Sequence, residues 1–289
     1  MPLSSTADLV ARAATSGHAA VAFNVITLEH AEAIVAGAER VGVPAILQIS
    51  ENAVKYHSGR VLPIARAAAE LARAAAVDVS LHLDHVRDEG LLRQAADAGV
   101  SSVMYDAAGL PYGANVAATR RAADWAHQRG LWLEAELGRV GGKDGEAPLD
   151  AHAPQARTDP EQASTYVAAT RVDALAVAVG SRHAMTTRTA ALDHALIAEL
   201  RDAVAVPLVL HGSSGVSDDE LVRAAAGGIA KINIGTALNV AFTTAVRARL
   251  ADDRLADPRA YLSVGRAAMA DAVAHFLRLL AASQPITPS

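Results

Sequence analysis

Short apolar runs alternate with longer amphipathic segments along the whole chain. The runs have the length and near-continuous apolar character of parallel strands that are covered on both faces. Eight of them are found, at Ala20–Val25, Ala45–Ile49, Val79–Leu83, Ser102–Tyr105, Leu131–Leu137, Ala174–Val179, Pro207–Leu210 and Ala230–Ile234. Apolar residues recur at helical spacing between them, for example in Leu28–Val41, Leu62–Ala75, Ala117–Gln128, Ala163–Thr170 and His194–Val204. The alternation predicts a series of strand–helix units.

Eight such units within 289 residues, with no Pro-, Gly- or Ser-rich boundary between halves, predict one domain spanning 1–289. Its predicted fold is an α/β (β/α)8 TIM barrel. A doubly wound sheet is the alternative, but it would not normally need eight strands in this length. The segment near 139–158 is rich in glycine and proline, which favours a mobile active-site loop. The segment near 257–283 predicts an extra C-terminal helix.

The composition excludes several classes of protein. Hydrophobic residues make up 52% of the chain but aromatic residues only 3%, so the core is predicted to consist of Ala, Val, Leu and Ile. The net charge of -5 and the dispersed basic residues argue against nucleic acid. The absence of cysteine excludes disulfides and thiolate sites. No apolar stretch is long enough to span a membrane, and Asp8 and Arg12 interrupt the N-terminal segment, so we expect a soluble, cytoplasmic protein.

Histidines follow three of the predicted strands, at His85, His183 and His211. The carboxyl ends of all barrel strands meet at one face, where enzymes of this fold carry their active sites. Acidic residues are predicted at the same face, at Asp84, Asp106 and Glu136. A catalytic zinc typically takes three protein ligands, and a neighbouring carboxylate can then move a proton. Strict alternation along the third strand leaves His82 as an alternative ligand to His85.

Several motifs in order along the chain resemble the class II, metal-dependent ketose-bisphosphate aldolases, the family of fructose- and tagatose-bisphosphate aldolases. The motifs are HLDH at 82–85, LEAELG at 133–138 followed by Gly-Gly at 141–142, His183 after Ala176–Gly180, LHGSSG at 210–215 and KINIGT at 231–236. The match runs from Ala22-Phe23-Asn24 to Asp257-Pro258-Arg259, which is nearly the whole chain.

The resemblance implies a role for each of the candidate residues. His85, His183 and His211 resemble the zinc ligands, and the zinc would chelate a dihydroxyacetone-phosphate unit and stabilise its enediolate. Asp84 resembles the base that takes the proton of the C4 hydroxyl. Asp106 and Glu136 match acids that bind a second divalent metal or orient the histidines. The resemblance also allows a monovalent cation as a further cofactor.

The resemblance also implies a phosphate site in the loops after the seventh and eighth strands. Such loops bind phosphate through backbone N–H groups and a helix N-terminus. The matching positions are Gly212, Ser213, Ser214, Asn233, Ile234, Gly235 and Thr236. Asn24 and Ala184 match further substrate contacts, and Ser50 and Arg259 match residues at the second phosphate of a bisphosphate.

The chain departs from the family pattern at three points. Ala184 stands where a glycine is usual, so a positive φ there would be unfavourable. The lysine that usually follows is absent, and Arg188 is the nearest following cation. The loop acid that handles the enediolate proton is Asp144 or Glu146, of which Asp144 aligns better.

Other enzyme classes of the same fold fit these residues less well. A class I aldolase needs a Schiff-base lysine on the sixth strand, whereas the lysines here are Lys55, Lys143 and Lys231. We expect Lys231 at the amino end of the eighth strand, away from the site. An amidohydrolase-type enzyme would need His-x-His after the first strand, where Phe23-Asn24-Val25 stands. A sugar-phosphate epimerase would not need the acid in the loop after the Gly-Gly pair. The complete set of metal ligands and acids argues against a non-catalytic aldolase-derived binding protein.

The sequence therefore predicts a metal-dependent aldolase that cleaves a ketose 1,6-bisphosphate reversibly to dihydroxyacetone phosphate and glyceraldehyde 3-phosphate. The alternatives are a lyase for another dihydroxyacetone-phosphate adduct and a non-catalytic aldolase-derived binding protein. The expected partner is a phosphorylated sugar, and the resemblance implies a homodimer or homotetramer.

Overall fold

Eight parallel strands close into a barrel in chain order in the computed structural model, which describes residues 3–141, 151, 153 and 156–281. The strands are β1 (Ala20–Asn24), β2 (Ala45–Ser50), β3 (Val79–Val86), β4 (Ser102–Tyr105), β5 (Trp132–Leu137), β6 (Ala174–Val177), β7 (Leu208–Leu210) and β8 (Ile229–Ile234). The described helices are α1 (Thr6–Ser16), α2 (Leu28–Val41), α3 (Glu51–Tyr56), α4 (Val61–Ala74), α5 (Glu89–Ala98), α6 (Tyr112–His127), α7 (Pro160–Thr170), α8 (His194–Ala203), α9 (Asp218–Gly227), α10 (Thr236–Arg249) and α11 (Pro258–Leu280). The predicted (β/α)8 barrel with an extra C-terminal helix is confirmed.

The carboxyl ends of β3 and β6 differ from the predicted ones. β3 continues past Leu83 to Val86, and its register with β4 shifts between these two residues. β6 ends at Val177 instead of Val179, so the chain leaves the sheet earlier than the apolar run indicates. A register shift re-aims side chains at a strand end, which periodicity alone does not predict.

The amino end of the barrel is covered by α1. Thr6 lies in a cluster of hydroxyl groups with Ser80, Ser101 and Ser102, with Oγ–Oγ distances between 2.8 and 3.0 Å. Leu9 and Val10 of the same helix pack against buried residues of the strands. Because this end is covered, chemistry that needs access for a substrate is favoured at the carboxyl end.

The C-terminal helix α11 packs closely on α2. An added Cβ on Gly37 in α2 would lie 2.7 Å from the Cβ of Val273 and 2.8 Å from the carbonyl oxygen of Ala270. Ion pairs of Arg40 with Asp271 and of Arg266 with Glu32 join the same two helices. Neither α11 nor any other described helix contains an apolar stretch long enough to traverse a lipid bilayer.

Gly37→Ala is expected to lower the free energy of unfolding by about 1–3 kcal/mol, because the added methyl group overpacks the contact between α2 and α11. Gly113→Ala in α6 is the matched control, since its added Cβ meets no atom within 4 Å. Urea unfolding of both variants checks the expectation. Equal stability of the two would show that α11 can move away from α2 without cost.

Candidate metal centre and active site

Three histidine rings meet at the carboxyl end of the barrel. His85 lies near the end of β3, His183 follows β6, and His211 directly follows β7. The ring centroids are 5.0 Å apart for His85 and His183, 4.8 Å for His85 and His211, and 5.8 Å for His183 and His211. One nitrogen of each ring and one oxygen of Glu136 lie within 4.8 Å of one another. Imidazole and carboxylate donors at this spacing fit a zinc ion.

The register shift in β3 explains why His85, rather than His82, joins this cluster. His85 has a φ of 49°, which turns the strand out of its regular alternation. His82 remains inside the barrel, fully buried, with its Nδ1 2.7 Å from the hydroxyl of Ser102. Burial, followed by the charge of Lys231, lowers the pKa of His82 to about 3, so it is neutral. The backbone conformation of β3 therefore brings His85, and not His82, to the cluster.

Each of two histidines in the cluster contacts a carboxylate. His85 Nδ1 lies 3.0 Å from Asp106 Oδ2, and His211 Nδ1 lies 3.1 Å from Glu136 Oε2. The Nε2 of His211 lies 2.9 Å from Oε1 of Glu134, a residue that the sequence analysis missed. Alternate residues of a strand share a face, so Glu134 lies on the same face of β5 as Glu136. This alternation is the sequence signal that could have identified Glu134.

His211 is held between two buried acids. Burial lowers its pKa, but the hydrogen bonds to Glu134 and Glu136 outweigh burial and raise the pKa to about 9. A ring with a carboxylate at each nitrogen favours a positive charge at that point. A bound divalent cation would satisfy the same surplus of negative charge.

Asp84 is a buried carboxylate at the edge of the histidine cluster. Its side chain is 2% exposed, and its Oδ1 has no hydrogen-bond partner among the described residues. Its Oδ2 lies 3.9 Å from Nε2 of His85. A buried carboxylate that lines a cavity and has one oxygen without a hydrogen bond is suited to accept a proton from a bound molecule.

A cavity of about 640 Å³ opens above these residues. It is lined by most of the predicted site residues, namely Asn24, Ser50, Asp84, His85, His183, Ala184, Gly212, Ser213, Ser214, Asn233, Gly235 and Thr236. Sequence reasoning missed other lining residues, among them Gln48, Asn52, Lys55, Tyr56, Arg87 and Asn239. Several of these lie in α3, after β2, and Asn239 lies within α10. They belong to no recognisable motif, so no sequence signal distinguished them from ordinary loop and helix polarity.

Two loops form a cradle of backbone groups on one side of the cavity. Gly212 has a φ of 68°, and an added Cβ there would meet the backbone of Arg182 at 2.5 Å. The chain then forms a 3-10 helix over Ser213–Gly215, and the Ser214 hydroxyl accepts a hydrogen bond from the N–H of Ala237, 3.1 Å away. α10 begins at Thr236 in the second loop. The positive end of the helix dipole attracts anions at such a start, so the cradle suits a phosphate.

Ala184 has a left-handed backbone at the wall of the cavity. Its φ is 57°, a conformation that costs an alanine about 1 kcal/mol or more. The position therefore does use a positive φ, for which glycine is the residue without strain. Arg188, the nearest following cation, points elsewhere, because it donates hydrogen bonds to Val216 and Asp218.

Some predicted residues are not brought to the cavity. The side chain of Arg259 is 90% exposed at the start of α11 and pairs with Asp257, because an Asp N-cap two residues earlier captures its guanidinium. Ile234 lies in the hydrophobic core, where its side chain is fully buried. Asp144, Glu146 and the loop around them, including Gly142 and Lys143, lie outside the described residues.

The expectation that Lys231 lies away from the site is wrong. Its side chain is fully buried inside the barrel, where Nζ donates to Oε2 of Glu134 at 2.7 Å. Glu134 in turn contacts His211. The prediction failed because Lys231 lies within β8 rather than at its first residue, and a long side chain spans the remaining distance.

Glu51 fixes the chain beside the cavity and gives a pH-dependent contribution to stability. Its Oε2 accepts from the N–H groups of Arg87 and Asp88, and its Oε1 lies 2.7 Å from Nζ of Lys55. Burial raises the pKa of Glu51, but these partners outweigh burial and hold the pKa below its usual range. The stabilisation is present above the unfolded-state pKa and is lost as pH falls through the folded-state pKa.

Glu51→Gln is therefore expected to lower the free energy of unfolding by about 1–3 kcal/mol at neutral pH. The difference from the wild type should begin to shrink as pH falls through about 4.3, the usual pKa of glutamate, and should vanish only below the lower pKa of the folded state. Urea unfolding on either side of that pH checks this, with the exposed Glu70→Gln as control. A difference that does not depend on pH would contradict the role of the charge.

Several solved structures are similar to this chain over nearly its whole length. The YdjI aldolase from Escherichia coli K12 shares 30% identity, with a TM-score of 0.84 over 96% of this chain and 97% of that chain. A putative fructose-1,6-biphosphate aldolase from Coccidioides immitis shares 29% identity, with a TM-score of 0.84 over 95% of each chain. Fructose-bisphosphate aldolase from Campylobacter jejuni is similar in fold, with 21% identity, a TM-score of 0.81, and coverage of 96% of this chain and 95% of that chain.

The comparison with protein families covers nearly the whole chain. The family described as "Fructose-bisphosphate aldolase class-II" matches residues 4–284, from the segment before α1 to beyond the end of α11. The chain therefore belongs to the class II fructose-bisphosphate aldolase family and is an enzyme of the lyase class.

Proposed function

We propose that the enzyme cleaves a ketose 1,6-bisphosphate by a reversible retro-aldol reaction, giving dihydroxyacetone phosphate and glyceraldehyde 3-phosphate. Fructose and tagatose 1,6-bisphosphate are the candidate substrates. One observation carries the proposal: His85, His183 and Asp84 line one cavity together with a backbone cradle for phosphate, and His211 lies buried in the same histidine cluster. Metal ligands, base and anion site are the three elements that this reaction requires.

The cradle orients the substrate in this proposal. Backbone N–H groups of Gly212 to Ser214 and of the start of α10 would bind the phosphate of the dihydroxyacetone unit. The sugar would then extend past the histidines toward the loop after β2. Ser50 lines the cavity there, although its hydroxyl also caps α3 by accepting from the N–H of Ala53 at 3.1 Å.

Asp84 is the proposed base for cleavage. Its carboxylate would take the proton of the C4 hydroxyl as the C3–C4 bond breaks. The C4–O electron pair then forms the aldehyde carbonyl, and the bond pair stays on the dihydroxyacetone fragment as an enediolate. A proton delivered to C3 completes the product, and Asp144 is the proposed donor. In the condensation direction the same groups act in reverse.

Zinc is the proposed cofactor, held by His85, His183 and His211. When bound, it would supply Lewis-acid stabilisation of the negative charge that develops on the substrate oxygens. Asp106 and Glu136 are candidates for a second divalent metal or for orienting the histidines. The hydrogen bond of Asp106 to His85 favours orientation for that acid, because a metal-bound imidazole is typically fixed by an acceptor at its other nitrogen. Glu136 has an oxygen within the same group of possible metal ligands as the three histidines, which favours the metal.

The second phosphate of the substrate requires cations other than the one that the sequence predicted. Arg259 does not line the cavity, whereas Lys55 and Arg87 do. Lys55 follows Ser50 closely along the chain. Arg87 follows the end of β3, the strand in which Asp84 lies opposite Ser50. We propose that these two cations contact the second anionic group. Their pairing with Glu51 and Asp106 keeps the local charge balanced before binding.

A coupled assay for dihydroxyacetone phosphate tests the proposed function. Purified enzyme would receive fructose 1,6-bisphosphate, tagatose 1,6-bisphosphate and, as a matched control for the second anion, fructose 1-phosphate. Cleavage of one bisphosphate well above the other identifies the sugar. Cleavage of neither, with dihydroxyacetone phosphate still bound, would redirect the proposal to a different adduct of dihydroxyacetone phosphate.

A further inference from the structure

Lys231 is a buried cation whose partners lead to two different parts of the site. Its Nζ donates to Oε2 of Glu134 at 2.7 Å and to Oδ1 of Asn233 at 2.8 Å. Lys231 and Glu134 are both fully buried, so each charge depends on the other for compensation. Neither is a proposed metal ligand or a substrate contact. The pair is therefore placed to hold other groups in position.

The first path leads through Glu134 to a histidine of the metal cluster. With Oε2 held by Lys231, Oε1 of Glu134 lies 2.9 Å from Nε2 of His211. An ionised carboxylate only accepts hydrogen bonds, so this contact fixes a proton on Nε2. Nδ1 lies 3.1 Å from Oε2 of Glu136, which belongs to the same group of possible metal ligands. A divalent cation that displaces the proton of Nδ1 would therefore meet the lone pair of a neutral His211 on that nitrogen.

The second path leads directly to the amide of Asn233. An ammonium group only donates hydrogen bonds, so the amide oxygen Oδ1 of Asn233 faces Lys231. The amide nitrogen Nδ2 therefore faces away from Lys231. That Nδ2 is buried and has no hydrogen-bond partner among the described residues, and Asn233 lines the cavity. A flipped amide would place two donors face to face at Lys231. The lysine therefore fixes which amide group is offered to a bound molecule.

We propose that Lys231 is a positioning residue that aligns the metal site and the substrate site together. Through Glu134 it holds His211 in the tautomer that leaves Nδ1 for the metal. Directly, it holds the Asn233 amide so that an N–H group faces an oxygen of the substrate. The second part rests on the proposed aldolase function, whereas the first part requires only that the protein binds a metal.

Two variants and one control test the proposal. Lys231→Met removes the cation but leaves the buried charge of Glu134 uncompensated, so it can fail to fold. The double variant Lys231→Met/Glu134→Gln removes both charges, and the new amide carbonyl can still accept from His211. Ser80→Ala is the control, since it removes a buried hydrogen bond to Thr6 elsewhere on the strands. The measurements are zinc affinity by chelator competition and calorimetric affinity for a hydroxamate analogue of the dihydroxyacetone-phosphate enediolate.

Lys231→Met is expected to weaken zinc binding by about tenfold or more, and analogue binding by about tenfold. The double variant should recover zinc affinity to within about threefold of the wild type while analogue binding stays weak. Ser80→Ala should change neither. A folded Lys231→Met that binds zinc and analogue normally would overturn the proposal. If that variant does not fold, normal analogue binding by the double variant overturns it.

Failure of the proposed function would look different. A wild-type enzyme that binds zinc but neither cleaves ketose phosphates nor binds the analogue would contradict the aldolase assignment of substrate. The alignment of His211 would then be judged on zinc affinity alone, where a normal value in folded Lys231→Met still overturns the proposal. Equal losses in Ser80→Ala would show general loosening of the barrel and would overturn it as well.

Discussion

Replacing Asp84 by asparagine is expected to lower the cleavage rate by about two to four orders of magnitude, the usual contribution of a positioned general base. Asparagine has the shape of aspartate but cannot accept the C4 hydroxyl proton. The structure favours a folded variant, because Oδ1 of Asp84 lies 3.9 Å from Nε2 of His82. That nitrogen has no hydrogen-bond partner among the described residues, so an amide N–H could donate to it.

The measurement separates chemistry from binding. Turnover of the better bisphosphate would be followed for wild type and Asp84→Asn, together with zinc content and the affinity for dihydroxyacetone phosphate. Dihydroxyacetone phosphate carries no C4 hydroxyl, so its binding should change little. Residual turnover within about tenfold of the wild type would remove Asp84 from the role of base. A parallel loss of zinc would instead show that the substitution disturbs the neighbouring His85.

The overall fold could be predicted because its signal is repeated. Each strand is an apolar run and each helix an amphipathic segment, so an error at one boundary does not change the alternation. The carboxyl-end location of His183, His211 and Asp84 follows from the same alternation, since the fold gathers strand ends at one face. These parts of the site depend only on where a residue stands relative to its strand.

The remaining parts depend on features that have no periodic signature. His85 joins the cluster because β3 shifts register and the residue takes a positive φ, whereas alternation alone left His82 as a rival. Lys231 reaches Glu134 across the barrel, from β8 to β5, and such a pairing is visible only when the barrel is closed. Arg259 was expected at the substrate but is held by Asp257, two residues away. Local capping chemistry decided that position.

Removal of the metal is expected to abolish cleavage, and zinc alone should restore it. Without the cation, no other group described at the site supplies comparable stabilisation of the charge that develops on the substrate oxygens. Bound zinc should also raise the unfolding free energy, by about 4 kcal/mol at a free concentration of 1,000 times its dissociation constant. Activity and melting temperature would be measured after chelation and again after zinc addition. Full activity of the chelated enzyme would contradict a metal-dependent mechanism.

Two histidines three residues apart on β3, His82 and His85, allow a test of where the proposed zinc binds. His85→Ala should lose zinc binding, the associated rise in melting temperature and cleavage together, because it removes one of three ligands. His82→Asn should keep zinc, because its amide N–H can replace the Nδ1 contact to Ser102 and the side chain lies outside the cluster. Zinc content by atomic absorption compares the two variants directly. Loss of zinc in His82→Asn with retention in His85→Ala would reverse the assignment, and the turn at His85 would then serve only to direct the chain toward Asp106.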